Sequence, residues 1–255
     1  MKRVLMWLSV FGILTAGSTT QISPAKSTQD RKSLEGIVLD NSSKNKVVMF
    51  GEKHGTYRAD NDFLARLLPE LREKGFEYLA IEFEKNPRKN SFHEIIQDYA
   101  DGRLTRQDMR TMWVGREKRL CAGTFDLIDT AKKLGMKLIF YDADESAYNS
   151  WEERERISFD NLKELVFEKD PKGKVVIFCG ASHINEKPYE DMSADLQRAS
   201  QEKIRYLACY IDKDFRGKNF TISLVGSSDS QIIAPHCDMI VDLDENIYYY
   251  NFESK

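Results

Sequence analysis

No C-x-x-C pair occurs in the 255-residue chain. A thiolate zinc site or thioredoxin-type redox chemistry is therefore not expected. Also absent are H-E-x-x-H, a P-loop and G-x-G-x-x-G. Zincin, NTPase and dinucleotide-binding readings have nothing to stand on. Basic residues do not gather into a block. The net charge is −3, acids and bases are mixed along the chain, and the densest basic spot, "GREKRL" (115–120), reads as a solvated face. Nucleic acid is not an expected partner. No internal repeat or low-complexity linker divides the chain.

Long apolar runs are equally scarce. The one near the start, residues 4–16 in "MKRVLMWLSVFGILTAGSTT", falls short of the roughly 20 residues that cross a bilayer. Lys2 and Arg3 precede it and Ala16-Gly17-Ser18 follow, which is the pattern of a secretory signal peptide over residues 1–18. The expectation is a secreted or periplasmic protein with no membrane span after cleavage. Residues 19–33 read as a polar tether, and 34–255 as one domain of ample size for a core. Four cysteines in an exported chain allow up to two disulfides, or none. Cys179 and Cys209 lie in apolar runs suited to buried thiols, and a Cys121–Cys237 bridge is left open.

From Leu34 onward, short apolar runs alternate with amphipathic ones. Strands are expected at 46–50, 78–83, 137–141, 174–179, 204–210, 220–225, 239–243 and 247–251. Several are apolar on both faces, as in a sheet covered on both sides. Helices fall between them. Residues 60–74 carry Phe63, Leu64, Leu67, Leu68 and Leu71 on one stripe and stop at Gly75, and 125–134 stop at Gly135. Ser91 with Glu94, and Ser150 with Glu153, have capping-box spacing. The fold class expected is α/β: a single domain with a largely parallel central sheet flanked by helices and antiparallel C-terminal edge strands.

In such sheets ligands collect beyond the carboxyl ends of the strands. Those ends are rich in chemistry. "VVMFGEKHGTYRADN" leaves its strand with Glu52 and His54, "EYLAIEFEKN" with Glu82 and Glu84, "KLIFYDADES" with Asp142 and Asp144, and "KVVIFCGASHI" with His183. Glu52 and His54 point the same way if the chain stays extended. Carboxylates beside imidazoles orient a base, shift its pKa or complete a metal shell. On the helix after Ser150, Arg154 and Asn161 are two turns apart and share a face, suited to binding or holding a carboxylate. Ser182 in "GASHI" lacks the second glycine of a nucleophile elbow and reads as a turn residue. His93 reads as surface, and His236 as loop-borne.

"FGEKHGT", the Glu that ends "LAIEFE", Arg-x6-Asn on a later helix, and a strand followed by Gly-x-x-His occur in that order. Together they resemble the superfamily of erythromycin esterases, Tiki metalloproteases and ChaN-type haem-binding proteins. The likeness covers residues 46–183 and, more loosely, "CDMIVDLDE". The Gly-Glu-x-His corner is similar to the haem-binding branch, and Gly-Thr with "GFEYLAIE" is similar to the esterases. The lipid-anchoring Cys of many haem-binding relatives is missing, since the first cysteine is Cys121. The resemblance implies an α/β fold with its site at the strand tips, formed by Glu52, His54, Glu82, Arg154, Asn161 and His183.

Three functions follow as expectations, the third being a secreted interaction module in which the site is degenerate. In the first, a hydrolase uses His54 as general base on a water, oriented by Glu52 or Glu82. His183 and Arg154 then stabilise the oxyanion of an ester, amide or peptide substrate. A divalent metal held by Glu52, His54, Glu82 and His183 is a variant of it. In the second, the protein binds haem or an iron-bearing ligand without catalysis, with Tyr57 as axial ligand by position. The oligomeric state stays open.

Overall fold

The structure, a computed structural model, describes residues 33–52, 58–89, 91–112, 118–188, 204–225, 236–244 and 246–250. The signal-like segment, His54 and Tyr57 lie outside the described residues.

Helix α1 (Leu34–Ser42) leads into the central strand β1 (Val47–Glu52). Helix α2 (Arg58–Glu73), strand β2 (Phe76–Glu84), helices α3 (Phe92–Ala100), α4 (Arg106–Met112) and α5 (Lys118–Lys133), and strand β3 (Lys137–Asp142) follow. Helix α6 (Trp151–Leu162) continues through a π-helical turn, Lys163–Phe167, to β4 (Lys174–Gly180) and a 3₁₀ turn, Ala181–Ile184. Helix α7 (Leu207–Asp214) and strands β5 (Asn219–Val225), β6 (Met239–Asp242) and β7 (Ile247–Tyr250) complete the order. One sheet results, ordered β3-β2-β4-β1-β5-β6-β7.

Apolar alternation drives this arrangement. Val48, Phe50, Leu79, Ile81, Val176 and Phe178 pack on one face with Phe63, Leu64, Leu67, Leu68 and Leu71 of α2 and with α5. Val47, Met49, Tyr78, Ala80, Val175 and Ile177 pack on the other with Phe159 and Leu162 of α6 and Leu207 of α7. Each buried Val, Leu, Ile, Phe or Met side chain among these contributes about 1.5–3 kcal/mol. Gly75 and Gly135 end their helices at φ +87° and +65°, as their places in the sequence suggest. Ser91 and Ser150 cap α3 and α6 by accepting from the Glu94 and Glu153 amides.

Three expectations need correction. Residues 204–210 are no strand. Leu207, Ala208 and Ile211 form the buried stripe of α7, and a run that short reads alike in either period. The antiparallel edge is smaller than expected. Strands β5 and β6 run parallel to β1, and only β7 turns back, against β6. His93 is no free surface residue: its ring packs edge-on to Phe83 and Phe92, and Nδ1 accepts from the Glu84 amide at 3.3 Å. Cys179, Cys209 and Cys237 are free thiols.

Gly51 is fixed by a close approach. A Cβ there would stand 2.9 Å from Ala181 Cα and 2.8 Å from Ile184 Cδ1, so the 3₁₀ turn after β4 crosses β1 only because residue 51 has no side chain.

Candidate active site

The chain runs its first crossovers over the α2/α5 face and switches faces after β3. This lays α6 across the carboxyl ends of β3, β2 and β4, where open α/β sheets take their ligands. The pairing of β2 with β3 shifts between Ile81 and Glu84, giving β2 one residue more than its partner. Such a bulge re-aims a strand end. Here it falls on Glu82, which continues the Tyr78 and Ala80 side of the strand and turns its carboxyl toward α6.

Five ionisable side chains, each between 1% and 12% exposed, form a continuous chain there. Nδ1 of His183 lies 2.8 Å from the carboxyl of Glu155, and Nε2 lies 2.9 Å from Glu82 Oε1. The same Oε1 accepts from Arg154 Nη2 at 2.6 Å, and Oε2 accepts from the Gly180 amide at 2.7 Å. Arg154 Nε donates to Asp142 Oδ1 at 3.1 Å, and its Nη2 donates to Oδ2. Ser158 donates to Asp142 Oδ1 at 2.8 Å, and Asn161 donates to the Tyr141 carbonyl at 2.9 Å, holding the end of β3 against α6. Glu155 is anchored in turn by the Leu207 amide at 2.9 Å. Each buried charge thus has a partner, as burial demands.

The electrostatics decide protonation. Burial opposes charge on His183, but Glu155 and Glu82 more than offset it and push its pKa up to about 10. Near neutral pH it is an imidazolium with both N–H groups engaged by carboxylates. Burial likewise opposes Arg154, and Glu82 with Asp142 overcome it, so the guanidinium stays charged. Cys179, beneath the site, has its thiol raised well above the ordinary range by burial, then by Glu82 and Glu155. It is no nucleophile.

Of the residues read from the sequence, the structure brings Glu82, Arg154, Asn161 and His183 together. Glu52 closes β1 with its backbone paired to Gly180, whose amide serves Glu82. By strand alternation Glu52 follows Phe50 toward the α2 side, while Glu82 faces α6. The backbone of His236 meets the turn beyond His183: its amide donates to Asn185 Oδ1 and its carbonyl accepts from the Glu186 amide. Sequence reasoning missed Glu155. Its spacing was the available signal, because Glu155, Ser158, Phe159 and Leu162 form the buried stripe of α6.

A divalent metal does not fit the described donors. Both ring nitrogens of His183 hold carboxylates, the oxygens of Glu82 face Arg154, His183 and an amide, and the guanidinium stands where a cation would bridge Glu82 and Asp142. Among the described residues no group of three or more His, Cys, Asp or Glu is arranged around a metal position.

No family model matches the chain. No curated protein matches it. Solved structures match at the level of fold. The type III effector HopBA1 is 13% identical with a TM-score of 0.51, over 91% of this chain and 96% of that one. RRSP, a MARTX toxin effector domain from Vibrio vulnificus, is 14% identical with a TM-score of 0.51, over 86% of this chain. The match spans 37% of the RRSP chain, little more than a third of its length. A haem-bound ChaN of Campylobacter jejuni is 11% identical with a TM-score of 0.43, over 78% of this chain and 88% of that one. The erythromycin esterase EreC matches at 0.42.

Proposed function

We propose that the protein is an exported hydrolase that activates water on the carbonyl of an ester or amide, at the carboxyl ends of β1, β2 and β4. The observation that carries this reading is the double engagement of Glu82 by His183 Nε2 and Arg154 Nη2. Strand ends that gather buried charge in one place, with pKa values displaced, are where active sites form.

The division of labour follows from which atoms are still available. His183 has no nitrogen left to take a proton from water, and Glu82 has two cations on Oε1 and an amide on Oε2. These residues, with Arg154, Asp142 and Glu155, are positioning groups that brace the strand ends and set the local field. His54 is the general base in this reading, as the imidazole that the sequence sets just past the end of β1. Trp151 is the large apolar side chain left exposed among the described residues, at 42%, and its ring lies 5.2 Å from the Arg154 guanidinium carbon. It offers a face for the apolar part of a substrate beside the charged floor.

The test is turnover of ester and peptide panels by the full chain. His54→Ala is expected to abolish hydrolysis while leaving the fold intact. Turnover unchanged in that variant removes the reading. A haem titration run alongside, showing a Soret shift without turnover, would replace it with ligand binding by the same strand ends.

A further inference from the structure

The opposite end of the sheet carries a second feature. A cleft of about 590 Å³ opens at the amino ends of β1, β4 and β5, lined by Lys44, Lys46, Lys172, Lys174, Arg216 and Lys218. Asp214 is the one acid in that lining, and it faces Lys163 at 3.6 Å. The lysines are scattered along the sequence, so no basic block announces them. The parallel sheet collects them, because the turns that enter its three central strands meet at one end.

The cations form two layers. In the inner one, Lys46 Nζ donates to the Pro171 carbonyl at 2.7 Å and lies over the rings of Phe167 and Phe215. Lys174 Nζ donates to the carbonyls of Ser43 and Lys74 at 2.8 and 3.1 Å. These two answer the exposed carbonyls of the neighbouring turns and helix ends. The outer layer has no such task. Lys44, Lys172, Arg216 and Lys218 are exposed, and among the described residues none of them is held in an ion pair. Cations brought together without acids repel one another. The ammonium of Lys46 feels this, lowered by burial and then by Lys218, with Asp170 opposing them more weakly.

The platform is also rigid. The Lys46 amide donates to the Lys218 carbonyl at 2.7 Å, and the Lys46 carbonyl accepts from the Val175 amide at 3.0 Å. Gly217, at φ +69°, closes the turn that presents Arg216 and Lys218, and the Lys218 amide returns to the Phe215 carbonyl. Asp170 fixes the third turn by accepting from the Lys172 amide. Four exposed cations on three hydrogen-bonded turns suit an anion of several charges better than a single carboxylate.

We propose that this cleft is a binding site for a ligand bearing clustered phosphate groups, about a strand length of roughly 20 Å from the candidate active site. Its compact shape, unlike a stripe, fits a small polyphosphate or a phosphorylated lipid headgroup and not a nucleic-acid track.

The experiment uses the full chain, inorganic triphosphate as soluble probe, and vesicles of phosphatidylcholine with or without a phosphoinositide. Triphosphate is expected to bind in calorimetry and to weaken with added salt. Lys172→Glu and Lys218→Glu should each weaken binding about tenfold and together about a hundredfold. The reversals Lys89→Glu and Lys133→Glu, at exposed sites outside the cleft, should leave it unchanged. Cleft-dependent binding to phosphoinositide vesicles but not to triphosphate would support the proposal and identify the source as lipid. Binding to neither probe, or equal weakening by the control reversals, would overturn it. Circular dichroism of the variants confirms that the exposed substitutions leave the fold in place.

Discussion

The carboxyl of Glu82 holds two cations through one oxygen, with Arg154 Nη2 at 2.6 Å and His183 Nε2 at 2.9 Å. Three elements, β2, α6 and the turn after β4, are joined at that atom. Glu82→Gln keeps the shape but takes the charge from both partners. Leaving buried cations short of a counter-charge costs about 3–5 kcal/mol. Urea denaturation should show that loss. Glu82→Leu combined with Arg154→Met is expected to recover part of it, because an apolar pair leaves only His183 and Asp142 to rearrange. A single variant as stable as the parent would mean that the network is solvated rather than buried.

The raised pKa of His183 makes stability depend on pH. The folded protein holds this proton up to about pH 10, while the unfolded chain releases it near the ordinary value of 6.5. The folded state therefore binds the extra proton between those values, and stability falls as pH rises through that window. Below pH 6.5 the contribution is complete. Glu186 acts in the same direction at lower pH, since burial and then Asp238 raise its carboxyl above the usual range. Denaturation midpoints measured from pH 5 to 10 should decline. The Glu186→Gln variant should flatten the early part of that decline and leave the later part. A midpoint that rises between pH 7 and 10 would contradict the assignment of His183 as imidazolium.

The legible and illegible parts of the molecule separate on physical grounds. Strands β1 to β4 were readable because residues such as Val47–Phe50 are apolar on both faces, and their carboxyl tips display the residues that meet at the site. The α7 segment misled because Leu207, Ala208 and Ile211 satisfy a short apolar run in either geometry. Glu155 stayed hidden because an acid on an apolar stripe gains its meaning only once His183 is known to lie above it. The lysine cleft was invisible for the same reason, as Lys44, Lys172 and Lys218 are far apart in sequence. Pairing between distant segments is information that no local period carries.

Gly51→Ala tests the close approach of the turn that carries His183. The new methyl would meet Ala181 Cα, a backbone atom that cannot swing aside. Overpacking of this kind costs about 1–3 kcal/mol. The melting temperature should fall accordingly, and hydrolysis should fall further than the stability loss explains, because His183 moves with Ala181. An unaltered melting temperature would show that the turn yields freely.

Trp151 should behave in the opposite way. It is 42% exposed and its ring lies over the Arg154 guanidinium, so Trp151→Ala is expected to lower stability by only about 0.5–1 kcal/mol. If its face receives substrate, KM rises while kcat is kept. Equal kinetic constants for parent and variant across the ester panel would remove Trp151 from the substrate surface.

Glu155 gives the sharpest test of the charge chain, because it acts on His183 from the side away from Glu82. Glu155→Gln retains an oxygen to accept from the Leu207 amide, so the anchor to α7 survives. What it removes is one of the two carboxyls that face His183, the one at Nδ1. Burial opposes the imidazolium throughout and is unchanged by the substitution. With one counter-charge gone, desolvation weighs more heavily and the proton is released earlier. The titration midpoint of His183, followed by nitrogen NMR of the imidazole, is expected to fall by about one to two pH units, each unit being roughly 1.4 kcal/mol. The loss of stability with rising pH should start correspondingly sooner. A midpoint that does not move would mean that Glu82 and Arg154 alone set the protonation of His183, and that Glu155 serves only to hold α7.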